Sequence, residues 1–203
     1  MSGSNSVSGL AVALPMEGVD TDQLIPARFM SRSRDEGYCD QLLYDLRRND
    51  DGSLRPDFPL NLPLAEPAKI LVTRRNFGCG SSREAAVYAL MDAGFRAVIA
   101  PSFGDIFATN AVNNGLLPAT VGEDVSDALM AACAQPSEMT VCTQTSCIRA
   151  RNLVATFQLD PTSRQKLING WDDIDMTLSL TEAVQAFETT YQRSQPWGKR
   201  NGR

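Results

Sequence analysis

An α/β fold is predicted for this chain, and three observations carry that prediction. A short apolar run, Ile70-Leu71-Val72, is followed by a glycine-bearing turn from Asn76 to Gly80 and by helical spacing from Ser81 to Asp92. The same strand-turn-helix phrase then repeats, from Ala97 to Asn113, with Gly115 closing it. Beyond it, strand-like and helix-like stretches keep alternating over short connections, the pattern of a largely parallel sheet joined to a β-rich C-terminal portion.

Read in order, residues 1–9 are Ser/Gly-rich and expected to be a loose N-terminus, residues 10–195 form a single domain, and residues 196–203 are a polar tail. Leu10 to Leu14 reads as a strand that leads into a turn-rich loop, Glu17 to Pro26, carrying Asp20 and Asp22. From about 28 to 67 the chain is dense in Arg, Asp and Pro, with only a short helical candidate at Cys39 to Arg47, so a long surface connection is expected. In the first β-loop-α unit Ser81 and Glu84 have the spacing of a capping box, and Gly94 is placed as the C-terminal cap. Ser102 and Asp105 repeat that start in the second unit. A strand at Leu116 to Val121, a helix at Val125 to Ala134, strands at Thr140 to Thr143 and Ile148 to Phe157, and helices at Pro161 to Ile168 and Thr181 to Gln192 complete the reading.

Composition narrows the chemistry. A chain of 203 residues, 43% hydrophobic and 21% charged, is long enough to bury a sizeable core. A formal charge of -5 without any Lys/Arg block argues against nucleic acid as a partner. With no apolar run of about 18 residues and no basic, apolar leader at the N-terminus, no membrane association is expected and the protein is read as cytoplasmic. The five cysteines, Cys39, Cys79, Cys133, Cys142 and Cys147, are odd in number and form no Cys-x-x-Cys, so no zinc or iron–sulfur site is signalled and any such cluster belongs on another chain. The chain contains no histidine. That excludes Ser-His-Asp and Cys-His triads, His zinc sites and imidazole acid–base pairs.

The strongest local constellation is Asn76-Phe77-Gly78-Cys79-Gly80-Ser81-Ser82-Arg83-Glu84. It sets glycines, two hydroxyls and an arginine at a strand-to-helix junction, where free N–H groups and the helix dipole favour an anion. Ser81 can be read as a plain N-cap or as a serine whose alkoxide form is stabilised enough to abstract a proton without histidine. Arg83 is either a solvated first-turn residue or an anion-binding group, and Cys79 reads as a small packed residue. Lysine is missing from the position a Walker A loop requires, so nucleotide binding is weakly supported. Asp20 and Asp22 fit a turn or a cation site, and Arg28, Arg32 and Arg34 in the following loop are either solvated or able to grip a dicarboxylate.

Further segments extend the pattern. Val19-Asp20-Thr21-Asp22-Gln23-Leu24-Ile25-Pro26, Asn76 to Glu84, Gly94 to Phe103, Asp105-Ile106-Phe107 and Asn114-Gly115-Leu116-Leu117-Pro118, with a late Leu167-Ile168-Asn169-Gly170-Trp171-Asp172-Asp173-Ile174, resemble in order and spacing the 3-isopropylmalate dehydratase small-subunit family of the aconitase superfamily. The resemblance runs from about Val12 to Phe187. It implies the swivelling β/β/α fold of the aconitase C-terminal domain and a separate large subunit that carries a [4Fe–4S] cluster. It also implies a hydro-lyase reaction that isomerises 2-isopropylmalate and 3-isopropylmalate by dehydration and rehydration in leucine biosynthesis. Carried onto this sequence, the resemblance assigns Ser81 as the catalytic base, Asp22 as an active-site aspartate, Arg83 as the substrate-carboxylate arginine, Ser82 and Gly80 as neighbouring binding positions, and Arg32 as a second substrate arginine. The chain departs from the family where Ala85, Val87 and Tyr88 replace its usual His, Pro and Trp. Two other readings stay open: a related dehydratase acting on another malate-type diacid, such as citraconate and methylmalate, and a swivelling binding module without turnover.

Overall fold

The computed structural model describes residues 3–31, 37–63, 65, 68–195 and 197. Three short strands, β2 (Ile70–Thr73), β3 (Ala97–Ala100) and β4 (Leu117–Thr120), pair in parallel, and β2 also pairs in parallel with the longer β1 (Ser6–Leu14). Every residue of β2 and β3 is buried, as apolar strands covered on both faces must be. On the other side of β1 the direction reverses. There β5 (Ser137–Cys142) runs antiparallel to β1, with Ser6 opposite Cys142, and β6 (Cys147–Ala150) and β7 (Leu153–Thr156) continue as a meander.

The resulting sheet has the order β4-β3-β2-β1-β5-β6-β7. Its two ends meet: Gln158, just beyond β7, donates its N–H to the Thr120 carbonyl at 2.7 Å and accepts the Thr120 N–H at 3.3 Å. The sheet therefore curls into a partly closed barrel rather than lying open. Helices α3 (Glu84–Asp92) and α4 (Asp105–Asn113) are the crossovers of the parallel half, and α5 (Glu123–Ala132) leads from β4 to β5. After β7 come α6 (Pro161–Asn169), α7 (Asp173–Ser179) and α8 (Thr181–Ser194).

Alternation along the strands makes two cores. Val12, Leu14, Leu71 and Val98 pack with Ala86, Val87 and Leu90 of α3, while Ile70, Val72, Ala97 and Ile99 pack with Leu129, Met130, Met139, Val141 and Ile148 on the opposite face. The long connection from β1 to β2 plugs the first core with Leu42, Leu43, Phe58 and Leu60. It holds two single helical turns, α1 (Thr21–Leu24) and α2 (Tyr44–Arg47), besides 3-10 turns.

The expected α/β class and its repeated β-loop-α units are present, and several boundaries move for identifiable reasons. β1 starts at Ser6, four residues before Leu10, because Ser6–Ala11 pair with β5. The helix expected over Cys39 to Arg47 is interrupted by Leu43, which sits in the left-handed region at φ 53. The strand expected over Ile148 to Phe157 is a hairpin, β6–β7, that turns at Arg151 with φ 50. Helix α7, started by the Asp172–Asp175 capping box, was not expected at all. Among the described residues no helix is long and apolar enough to cross a membrane.

Candidate active site

Two segments run side by side just past the C-terminal ends of the parallel strands β1 and β2, the position where open α/β sheets bind ligands. Gly78 donates its N–H to the Val19 carbonyl at 2.7 Å, Thr21 donates its N–H to the Cys79 carbonyl at 2.9 Å, and Asp20 and Cys79 form a parallel bridge. The Thr21 hydroxyl then donates to the Ser81 carbonyl at 2.8 Å, tying α1 to the serine turn. Beneath this turn lie Phe77, Phe103 and Phe107, with ring centroids 5.4 to 6.4 Å apart. Gly78, at φ +71, lets the turn sit on that aromatic floor, since a Cβ there would come within 2.2 Å of Phe107 Cγ.

Ser81 does not cap the following helix. α3 begins at Glu84 with Arg83 at the N-cap position and no side-chain capping bond. The expected capping box is not made because the Glu84 carboxylate instead accepts from Asn114 Nδ2 at 2.7 Å, at the far end of α4. Likewise the Ser102 hydroxyl accepts the Asn76 N–H at 2.8 Å and leaves α4 to start from Gly104. Ser81 and Ser82 are exposed, and among the described residues their hydroxyls have no hydrogen-bond partner.

Arg83 reaches back across the junction. Its Nη1 donates to Asp22 Oδ1 and, at 3.3 Å, to the Ile25 carbonyl, with the arginine side chain 17% exposed and the aspartate 60%. Asp22 Oδ1 also accepts the Ala27 N–H at 3.0 Å. The Arg83 hydrogen bond first, and the Ala27 N–H second, hold the Asp22 carboxyl below the ordinary aspartate range. Asp22 is therefore an anion across neutral pH. Gly80, at φ +91, turns the chain between the Cys79 bridge and Ser81.

The structure thus brings Asp22, Gly80, Ser81 and Arg83 together, with Ser82 next in the chain, while Arg32 lies outside the described residues. Asp20 belongs to the fold: it accepts the Gln23 N–H at 2.7 Å and its own N–H donates to Gln23 Oε1 at 3.0 Å, a capping box for α1. The Asp-x-x-Gln spacing was a readable signal for this. Arg28 was legible only as one of three loop arginines. It makes a fork-to-fork ion pair with Asp45, including a contact of 2.9 Å, and lies over the rings of Phe29 and Tyr44 at 4.6 and 5.5 Å. A cleft of about 450 Å³, lined by Arg28, Tyr44, Asp45 and Arg48, opens beside it.

An iron–sulfur cluster does not fit this donor set. Among the described residues no three Cys, Asp or Glu side chains gather at metal-ligand range. Cys142 and Cys147 face each other across β5 and β6, Cys133 is buried, and Cys79 Sγ donates to the Gly18 carbonyl at 3.5 Å.

The family model of the aconitase C-terminal domain matches residues 1–124. The 3-isopropylmalate dehydratase small subunit 1 of Chromobacterium violaceum is 40% identical over 195 residues, covering 95% of this chain and 92% of that protein. The chain belongs to the 3-isopropylmalate dehydratase small-subunit family. Other members of this family agree over comparable spans: the small subunit of Cytophaga hutchinsonii is 42% identical over 189 residues (91% of this chain, 94% of that one), and that of Shouchella clausii 44% over 181 (89% and 92%). The small-subunit fold is also that of a solved 3-isopropylmalate dehydratase structure from Methanocaldococcus jannaschii, at a TM-score of 0.64 and 24% identity over 90% of this chain and 99% of that one.

Proposed function

We propose that this chain is the small subunit of a heteromeric hydro-lyase that isomerises 2-isopropylmalate and 3-isopropylmalate, and that a separate large subunit supplies the iron–sulfur cluster. The observation that carries the reading is the unencumbered Ser81 hydroxyl beside the Asp22–Arg83 pair, on an open face just ahead of α3. Among the described residues Asp22 is held as a weakly basic anion by Arg83 and Cys79 lies partly buried against the Gly18 carbonyl, which leaves the two exposed serines, and of these Ser81 is the one whose backbone is tied to α1 through the Thr21 hydroxyl.

Each residue then has a task. Arg83, fixed in orientation by Asp22 and the Ile25 carbonyl, offers its fork to a substrate carboxylate. Ser81, as the alkoxide, takes the proton from the substrate carbon; the C–H electron pair becomes the C=C bond as hydroxide leaves the neighbouring carbon. Addition of water across the alkene in the opposite sense, with the proton returned from Ser81, gives the isomer. The guanidinium and the first N–H groups of α3 favour the alkoxide. The openness of the site supports a second chain as its lid, since the clefts of about 610 and 490 Å³ lie elsewhere and neither is lined by Ser81 or Arg83.

The test is anaerobic turnover with a cluster-loaded large subunit, followed by ultraviolet absorbance of the conjugated alkene. Turnover should require both chains, and Ser81→Ala should lower kcat by about 10²- to 10⁴-fold while the complex still forms. Undiminished turnover in Ser81→Ala would remove Ser81 as the base, and activity on another malate-type diacid alone would move the substrate assignment.

A further inference from the structure

The C-terminal helices carry an apolar surface that the fold does not cover. No residue of α7 or α8 is buried. Of the eleven exposed large hydrophobics among the described residues, five fall in these helices, Ile174, Leu178, Val184, Phe187 and Tyr191, and a sixth, Leu180, is the residue that joins them. Val184, Phe187 and Tyr191 recur at helical spacing on one face of α8, continued by Leu180 at its N-cap, and Ile174 and Leu178 do so on α7. Phe187 is 67% exposed, and its ring stacks on Tyr191 at 5.8 Å without either reaching the core. A soluble monomer rarely leaves so continuous a stripe in water, and a lone 14-residue helix is marginal without a tertiary face to pack.

The charges decide what covers it. At helical spacing the charged residues that flank the stripe are acidic, Asp175 beside Ile174 and Leu178 and Glu188 beside Phe187 and Tyr191, whereas Glu182 and Arg193 fall on the far side of α8 and Asp173 is engaged by Lys166. A second copy of the chain packed about a two-fold axis would oppose the same acidic rim to itself, and like charges juxtaposed at an interface are costly. The occupant must be a different surface, apolar at its centre and basic at its edge.

The region is also common to proteins that exist as separate subunits. The match to the aconitase C-terminal domain extends to residue 124, whereas the Chromobacterium violaceum small subunit aligns over 95% of this chain, too much to omit α7 or α8. We infer that the apolar stripe of α7–α8 docks into a basic-rimmed groove on the large subunit and is a principal anchor of the heteromer. This rests on the proposed function, and deepens it by placing the partner on a surface distant in sequence from Ser81.

The test uses the full chain and the cluster-loaded large subunit. Phe187→Asp with Tyr191→Asp should weaken association by about 100-fold, because buried aromatic anchors dominate interface energy. Turnover should be restored at high large-subunit concentration, and the thermal midpoint should stay that of the parent. Glu188→Lys, at the edge of the stripe, should also weaken binding, with a shallower salt dependence, while Glu182→Lys on the far side of α8 should not. Val154→Asp, an exposed apolar position on β7, should bind as the parent does. Equal binding by the parent and by the Phe187/Tyr191 variant would overturn the docking surface and leave the function intact. A parent that binds no large subunit would overturn both. A parent that dimerises alone through Phe187 would overturn the choice of partner in favour of a second copy.

Discussion

At the scale of single residues, the pairing of Arg83 with Asp22 carries most of the electrostatics of the site. The depressed aspartate pKa fixes the sign of one prediction. The pairing is complete above the ordinary aspartate value of 3.8 and is lost as pH falls through the lower, folded-state value. The difference in thermal midpoint between the parent and Asp22→Asn, measurable at pH 7, should therefore shrink as pH is taken below 3.8. A difference that stayed constant down to full protonation would assign it to something other than charge. Arg83→Lys keeps the charge and loses the planar fork, so KM for the substrate should rise by about 10- to 100-fold, as loss of a charge-assisted hydrogen bond implies. A change confined to kcat would argue that Arg83 acts on the transition state rather than as a carboxylate clamp. Much of this was legible: Ser81 and Arg83 stood out because glycines, hydroxyls and an arginine converge on one helix start. Thr21 was not, because its hydroxyl bond to the Ser81 carbonyl joins residues far apart in sequence.

At the scale of elements, the serine turn rests on glycine and on aromatic packing. Gly78→Ala should destabilise the protein by about 2 to 4 kcal/mol, since the new methyl meets the Phe107 ring and the backbone is left-handed. Denaturant unfolding checks this; a loss under 1 kcal/mol would mean that the Phe107 ring yields easily. Asp20→Ala removes the cap of α1 and should cost about 1 kcal/mol, again read from the unfolding midpoint. The β-loop-α units were readable because periodicity and capping residues are local. The β6–β7 hairpin was hidden, because its turn uses Arg151 in a left-handed conformation where glycine or asparagine is the usual marker. The Ser81–Glu84 spacing misled for a tertiary reason: Asn114 takes the Glu84 carboxylate.

At the scale of the whole molecule, stability is unevenly distributed. The amides of β2 and β3, buried on both faces, should exchange with solvent only on global unfolding, while those of α8 should exchange early in the isolated chain and become protected when the large subunit is added. Hydrogen-exchange mass spectrometry distinguishes these; strong protection of α8 in the isolated chain would show that the helix has found cover within its own fold. Sequence reading anticipated the α/β class but not the closure of the sheet, because the Thr120–Gln158 bridge depends on how far the strands coil, which no local pattern records.

The place of β1 in the sheet has a bearing on how the chain is made. β1 precedes both of its partners in the chain and lies between them at the centre of the sheet, with Ala11 waiting for Ile70 on one side and Ser6 waiting for Cys142 on the other. One edge of that strand is satisfied once residues 70–73 are available, whereas the other stays open until residues 137–142 follow. Assembly of the sheet is then a long-range event, slow as topologies of high contact order are, in which the β1–β2 pair can form before the β1–β5 pair that completes the centre.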